Sequence, residues 1–259
     1  MLAGFDWDVI QRSLPYLFKE GMTFTLTLTA LAMTLGIVFG TLLAMMRLSS
    51  VSVYSALHGV AAVRRLAARP LLGPLLRAPL LANVAGAYVN LMRSVPLVLV
   101  IFWFYFLVPW IGGWLIGATQ PIQVGAFMSS LVTFAMFEAA YYCEIMRAGI
   151  QSIPRGQVWA GYALGLNYWQ TMGTVVLPQA FRNMMPVLLT QTIILFQDTS
   201  LVYVLGITDF LGAASKVAQR DGRLVEMYLF VAVVYFIISY FLSYLVKRLQ
   251  ARIAVPGKL

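Results

Sequence analysis

Charged residues fall in clusters along this chain, and the uncharged runs between them divide it almost mechanically. A helix needs about 20 mostly apolar residues to cross a bilayer. Gly21 to Met46, bounded by Glu20 and Arg47, supplies one such run and predicts a span over 22–46. Ser94 to Phe137 carries no charge over 44 residues, too many for one crossing, and Pro109, Gly112, Gly113, Gly117 and Pro121 interrupt its middle. It reads as two spans, 88–107 and 124–146. Between Arg182 and Asp209 the only charge is Asp198, which predicts a span over 184–207, and the run from Met227 to Val246 predicts a last one over 227–246. The expectation is an all-α integral membrane protein of five transmembrane helices in one domain.

Composition agrees: 61% of the 259 residues are hydrophobic and 10% charged, which excludes both an ordinary soluble globule and a disordered chain. Asp6, Asp8, Arg12 and Lys19 break up the first twenty residues, so no cleavable signal peptide is expected there. Basic residues stay on the cytoplasmic side of short loops. With the N-terminus outside and the C-terminus inside, thirteen Lys and Arg face inward and five (Arg12, Lys19, Lys216, Arg220, Arg223) face outward. That asymmetry predicts the orientation. It also assigns the net charge of +9 to an anionic membrane surface rather than to nucleic acid. One Cys (Cys143) and one His (His58) allow neither a disulfide within the chain nor a His-based metal site.

Residues 49–87 resist a transmembrane reading, because Arg64, Arg65, Arg69 and Arg77 recur among Pro70, Gly73, Pro74 and Pro79. They are expected on the cytoplasmic face, either as an amphipathic surface stretch or as a tolerated insertion. In the first span, Ala32, Gly36, Gly40 and Ala44 recur every four residues, a stripe of small side chains that lets another helix approach closely.

The inner loop at 154–178 carries more information. Pro154 opens a short helix and Gly165 stops it; Asn167, with Gln170 three residues on, caps a second that ends at Leu177-Pro178. Such a knob is either a rigid connector or a docking element for a soluble partner. It resembles the EAA loop of binding-protein-dependent ABC importers, in which Glu-Ala-Ala is followed by three residues, Gly, nine residues, Ile, one residue and Leu-Pro. Trp159, Ala160, Gly161, Gly165, Val175, Leu177 and Pro178 stand at that spacing, with Gly156 just before. Trp159 replaces the Glu and Gly161 the second Ala, so a salt bridge from that Glu to a partner is not expected here.

Within that superfamily the chain resembles the polar amino acid permeases, through Arg93-Ser94-Val95-Pro96-Leu97, Glu144 with Arg147-Ala148-Gly149-Ile150, and Leu177-Pro178-Gln179-Ala180-Phe181-Arg182. It is most similar to the glutamate/aspartate permease subunits, through Met136-Phe137-Glu138-Ala139-Ala140-Tyr141-Tyr142 and Leu195 to Leu205 with its Asp198-Thr199-Ser200. The likeness lapses over about Ser52 to Ala82. It implies a type I ABC importer permease (MetI-like) bundle in the bacterial inner membrane. The implied partners are a second permease subunit, identical or different, two ATPase subunits below and a solute-binding protein above. The chain would be no enzyme and bind no cofactor, and the absence of a Walker A glycine loop fits ATP hydrolysis on another chain. The rival class is a self-sufficient channel or ion-coupled secondary carrier, against which the loop counts.

Glu138 and Asp198 each fall about 21 Å along their predicted spans, near the midplane. A carboxylate there either lines a substrate path, with Thr199 and Ser200, or ties helices together in a polar network. Two ionised carboxylates would repel an acidic solute, so they bind its ammonium, stay protonated or serve architecture. Arg93 is placed in the first turns of the second span, where a structural pair with Glu144 is favoured over contact with an anionic solute.

Overall fold

The computed structural model describes residues 5–49, 52, 68 and 78–253. Arg64, Arg65, Arg69 and Arg77, and with them most of the 49–87 insertion expected on the cytoplasmic face, lie outside these. All regular structure among the described residues is helical. The helical runs are α1 (Trp7–Leu48), α2 (Leu80–Ser94), α3 (Leu97–Leu115), α4 (Ala126–Gln151), α5 (Arg155–Ala163), α6 (Tyr168–Leu205), α7 (Phe210–Asp221) and α8 (Leu224–Ile253). Of these, α1, α3, α6 and α8 are long and apolar enough to cross a membrane. Helix α4 has the length, at 26 residues, but carries Glu138, Glu144 and Arg147.

The first two predicted spans differ from the observed helices for physical reasons. Helix α1 begins 15 residues before the expected start at 22, because Asp6 caps it, accepting from the backbone N–H groups of Asp8 at 3.0 Å and Val9 at 3.2 Å. The extra turns are amphipathic: Val9, Ile10, Ser13 and Leu17 are buried while Asp8, Arg12 and Lys19 are exposed. The predicted span 88–107 straddles a real break. Helix α2 ends at Ser94, and Val95, before Pro96, takes the extended backbone (φ −106, ψ 135) that a following proline favours.

Two expected breaks do not occur. Pro109 lies inside α3 and Pro178 inside α6, although a proline ring presses on the carbonyl four residues back. Here those carbonyls belong to Tyr105 and Thr174, within wider π-helical turns at Trp103–Leu107 and Met172–Val176. The looser winding makes room for the ring and the helix continues. The second loop helix therefore runs on into the membrane rather than ending at Leu177-Pro178. After Asp198 the same run tightens into a 3₁₀ segment, Thr199–Leu205, closed by Gly206 at φ 74.

The chain forms two compact units: Met1–Leu35, Leu97–Glu138 and Met185–Leu259 make the first, and Gly36–Pro96 with Ala139–Met184 the second. In the first, α7, which the sequence reading missed, is capped by Asp209 through the N–H groups of Leu211 (3.0 Å) and Gly212 (2.9 Å), and the Phe210 N–H donates to Thr25 Oγ1 at 3.0 Å. A core there gathers Leu28, Ala32, Ile101, Phe134, Leu195 and Val202. In the second unit α1 and α4 cross closely at Gly40. All four residues of the small stripe are buried, Ala32 in one unit and Gly36, Gly40 and Ala44 in the other.

Candidate functional site

The loop of the second unit folds as its punctuation predicts. Pro154 precedes α5, whose end has Gly165 at φ +81. Around it the Leu166 N–H donates to Gly161 O at 3.1 Å and the Gly165 N–H to Tyr162 O at 3.0 Å, the paired bonds that satisfy the last carbonyls when a left-handed glycine stops a helix. Asn167 then opens α6 with a reciprocal cap: its side chain accepts from the Gln170 N–H at 2.9 Å, and its own N–H donates to Gln170 Oε1 at 2.9 Å. Gly161 replaces an alanine for a visible reason. A Cβ there would lie 2.8 Å from Thr171 Cγ2, so the missing methyl lets α5 close onto the start of α6. Ile153, Val176 and Ala180 are buried beneath the knob.

What the knob presents outward is aromatic. Trp159 is 67% exposed and Trp169 80%, and between them Tyr162, Leu164 and Tyr168 are exposed as well. Trp159 stands edge-on to Tyr162, centroids 6.2 Å apart, and Tyr168 to Trp169 at 5.3 Å. An exposed apolar surface of this kind marks a contact site. Gly156, Ala160, Leu177 and Pro178 are exposed too, while Val175 is half-buried and its neighbour Val176 takes the inner position. Sequence reasoning singled out Trp159 and passed over Tyr162, Leu164 and Tyr168; aromatics flanking a glycine turn were the available signal.

In the first unit Glu138 is fully buried on α4, and its two carboxylate oxygens accept from Gln191 Nε2 of α6 at 3.2 and 3.1 Å. Gln191 was overlooked, although an amide inside an apolar run needs a partner. Asp198 sits seven residues further along α6, about 10 Å away on nearly the same face, and is half-buried. Thr199 turns its hydroxyl back to Phe196 O at 2.7 Å, and Ser200 is half-buried beside it. Glu138 therefore has its bonding partner in Gln191.

The expected Arg93–Glu144 pair does not form. Arg93 lies in the last turn of α2, not the first turns of a span, and its guanidinium sits 5.3 Å from the centre of the Tyr141 ring. Glu144 instead pairs with Arg47 of α1 and with Arg147, whose Nη2 lies 2.6 Å from Oε2; Arg147 also donates to Gln151 Oε1 at 2.6 Å. Arg47 closes the first span, and only the crossing of α1 with α4 makes it the partner.

A helical bundle with helices apolar enough to cross a membrane, bearing this doubly capped knob, defines a class of transport subunit, and comparison with known proteins names it. The chain belongs to the binding-protein-dependent transport system inner membrane component family, whose model matches residues 66–255. It is 48% identical over 250 residues, 96% of this chain and 99% of the relative, to the glutamate/aspartate import permease protein GltK of Escherichia coli O6:H1. Over 97% of this chain and 99% of the relative it is 30% identical to the glutamine transport system permease protein GlnP of Escherichia coli K12. A crystal structure of an amino acid ABC transporter with histidines superposes with a TM-score of 0.75 at 27% identity, covering 95% of this chain and 98% of that one. An inward-facing MetNI methionine ABC transporter shares the fold, with a TM-score of 0.66 at 19% identity over 93% and 97% of the two chains. The chain is thus a multi-pass inner membrane permease subunit of an ABC importer, with the MetI-type fold. It works with ATPase and binding-protein partners.

Proposed function

We propose that this permease forms part of the transmembrane path for an acidic amino acid, glutamate or aspartate. The 48% identity to a glutamate/aspartate permease over nearly the whole chain carries the reading. In it α4 counts as the fifth span, the N-terminus lies outside, and the knob of α5 and the start of α6 lies inside, where Trp159, Tyr162 and Trp169 enter an apolar cleft of an ATPase subunit. A sister permease, identical or different, completes the path, a solute-binding protein delivers to its outer mouth, and this chain binds no cofactor. Glu138, bonded to Gln191 and sealed from solvent, serves architecture, which removes one carboxylate from the face an anionic solute meets. Asp198 and Ser200, both half-buried where α6 tightens, are the path-lining candidates, whereas Thr199 is fully buried with its hydroxyl on Phe196 O.

The test is uptake of labelled glutamate by the complex in proteoliposomes. It is expected to require ATP, to survive collapse of the proton gradient, and to be inhibited by excess aspartate but not by glutamine. Uptake driven by a pH gradient without ATP would overturn the reading in favour of a secondary carrier. Topology is checked at Leu164, 82% exposed: in a Cys143→Ala background, Leu164→Cys is expected to escape an impermeant maleimide in spheroplasts and to react after permeabilisation.

A further inference from the structure

The knob is joined to its neighbours in the chain in two unlike ways. Its exit is helix: from Tyr168 the backbone runs without a break through α6 to Leu205, past Asp198 and Ser200. Its entry is not. Helix α4, which carries Glu138, stops at Gln151, and Ser152, Ile153 and Pro154 lead into α5 without helical backbone. Pro154 stands at φ −57, ψ 136 and has no N–H to continue the helical ladder. A displacement of Trp159 or Trp169 therefore passes along α6 as along a stiff rod, but reaches α4 only through a short link that can pivot.

Side chains bridge that link. Ser152 Oγ donates to Gly149 O at 2.7 Å, which leaves its lone pairs free to accept, and Asn183 Nδ2 of α6 donates to it at 2.9 Å. Nearly one turn back on α4, Gly149 is buried against the same helix: an added Cβ would lie 3.0 Å from Met184 Cβ and 3.4 Å from Ala180 O. Within the link, Ile153 is buried with Val176 and Ala180. Val176, Ala180, Asn183 and Met184 follow one another at helical spacing, so a single face of α6 takes the whole end of α4. Close packing of this kind has little give and passes displacement on. The Ser152–Asn183 bond differs from the two packed contacts in that both of its residues are exposed. A bond that water can replace adds little to stability, so what it contributes is its position across the pivot.

We propose that Ser152 and Asn183 are positioning residues for coupling. Their bond holds the end of α4 to α6, so that when an ATPase subunit shifts the knob both helices move together and α4 is not left behind at the pivot. The proposal rests on the reading that the knob seats in an ATPase subunit, but not on which amino acid is carried.

The experiment uses the whole complex in proteoliposomes and reads two rates on each preparation: ATP hydrolysis stimulated by solute-loaded binding protein, and uptake of labelled glutamate. Their ratio, solute carried per ATP, is the quantity that a loosened α4 lowers, whereas a merely structural role would lower both rates alike. Asn183→Leu and Ser152→Ala are each expected to keep stimulated hydrolysis within about twofold of wild type while carrying about fivefold less solute per ATP, the size of effect that one hydrogen bond can supply. Ser152→Thr, which keeps the hydroxyl, is expected to match wild type. The double variant should be no worse than either single one, because both remove the same bond. A wild-type ratio in both single variants overturns the proposal, as does a parallel fall of hydrolysis and uptake at constant ratio, which would place the effect where the knob meets the ATPase. A second measurement does not depend on removing the bond. In a Cys143→Ala background, Ser152→Cys and Asn183→Cys are joined by a short bifunctional methanethiosulfonate, and helices that move together should go on transporting once joined. Loss of uptake on cross-linking that a reductant reverses overturns the proposal. A wild-type complex that takes up no glutamate with ATP sinks the permease reading, while normal wild-type uptake with unaffected variants sinks the coupling bond alone.

Discussion

Gly40→Ala tests the closest helix crossing in the second unit. A Cβ at Gly40 would lie 2.8 Å from Tyr142 Cβ and 3.0 Å from both Ala139 O and Cys143 N. Ordinary contacts between carbon atoms begin at about 3.5 Å, so α1 and α4 would have to part by roughly 0.5–0.7 Å. The obstructing atoms are backbone and a Cβ, and no side-chain rotation relieves them. Overpacking of this kind costs about 1–3 kcal/mol. Replacing a helix-interior glycine also returns up to about 1 kcal/mol of helix propensity, which would mask part of the cost. Gly86→Ala corrects for that: it too lies within a helix, and the nearest atom to its added Cβ is Arg47 Nε at 4.0 Å. The propensity gain is common to both variants, so their difference isolates the clash. Gly40→Ala should be less stable than Gly86→Ala by about 1–3 kcal/mol, read as a lower thermal unfolding midpoint of the purified complex by about 2–4 °C for each kcal/mol. Were Gly40→Ala to melt with or above Gly86→Ala, the close crossing of α1 and α4 would be wrong.

Gly165→Val should lose solute-stimulated ATP hydrolysis while still inserting at normal levels; its cost is about 1–2 kcal/mol of backbone strain, because φ is +81 and no atom lies within 4 Å of an added Cβ. Gly165→Asn, which tolerates the left-handed backbone, should retain stimulation, and equal loss in both variants would contradict the turn geometry. Gln191→Leu strands the buried Glu138 carboxylate and should destabilise by at least about 1–3 kcal/mol. Adding Glu138→Met should recover much of the midpoint, and an additive double mutant would disprove the pairing. Burial pushes Asp209 up to about 7 despite the Gly212 and Leu211 N–H groups it accepts. Its unfolded value is about 3.9, so the folded state binds more protons between those values and stability falls as pH rises from about 4 to 7. Asp209→Asn should flatten that fall in a pH series of melting curves; an unchanged slope would show that another group causes it.

The sequence alone determined whatever depends on neighbours in the chain. Uncharged runs marked the stretches that hold four helices long and apolar enough to cross a membrane, although the predicted span 88–107 straddled the break between α2 and α3. The turn at Gly165, the cap at Asn167 and the buried stripe from Ala32 to Ala44 were legible for a similar reason: their hydrogen bonds and spacing close within a turn or two. The amphipathic start of α1 was equally legible in Val9, Ser13 and Leu17, but a search for continuous apolar runs passes over it. Tertiary structure decided the rest. Pro109 and Pro178 look like stops, yet the carbonyls they threaten lie in π-helical turns and both helices run on. Arg93 was the expected partner for Glu144, but Arg47 and Arg147 hold it, and Gln191 was one of several polar residues in its run. Pairing of that kind joins positions 53 and nearly 100 residues apart, and it is set by which helix faces meet once the apolar surfaces have packed, a choice that local residue order does not encode.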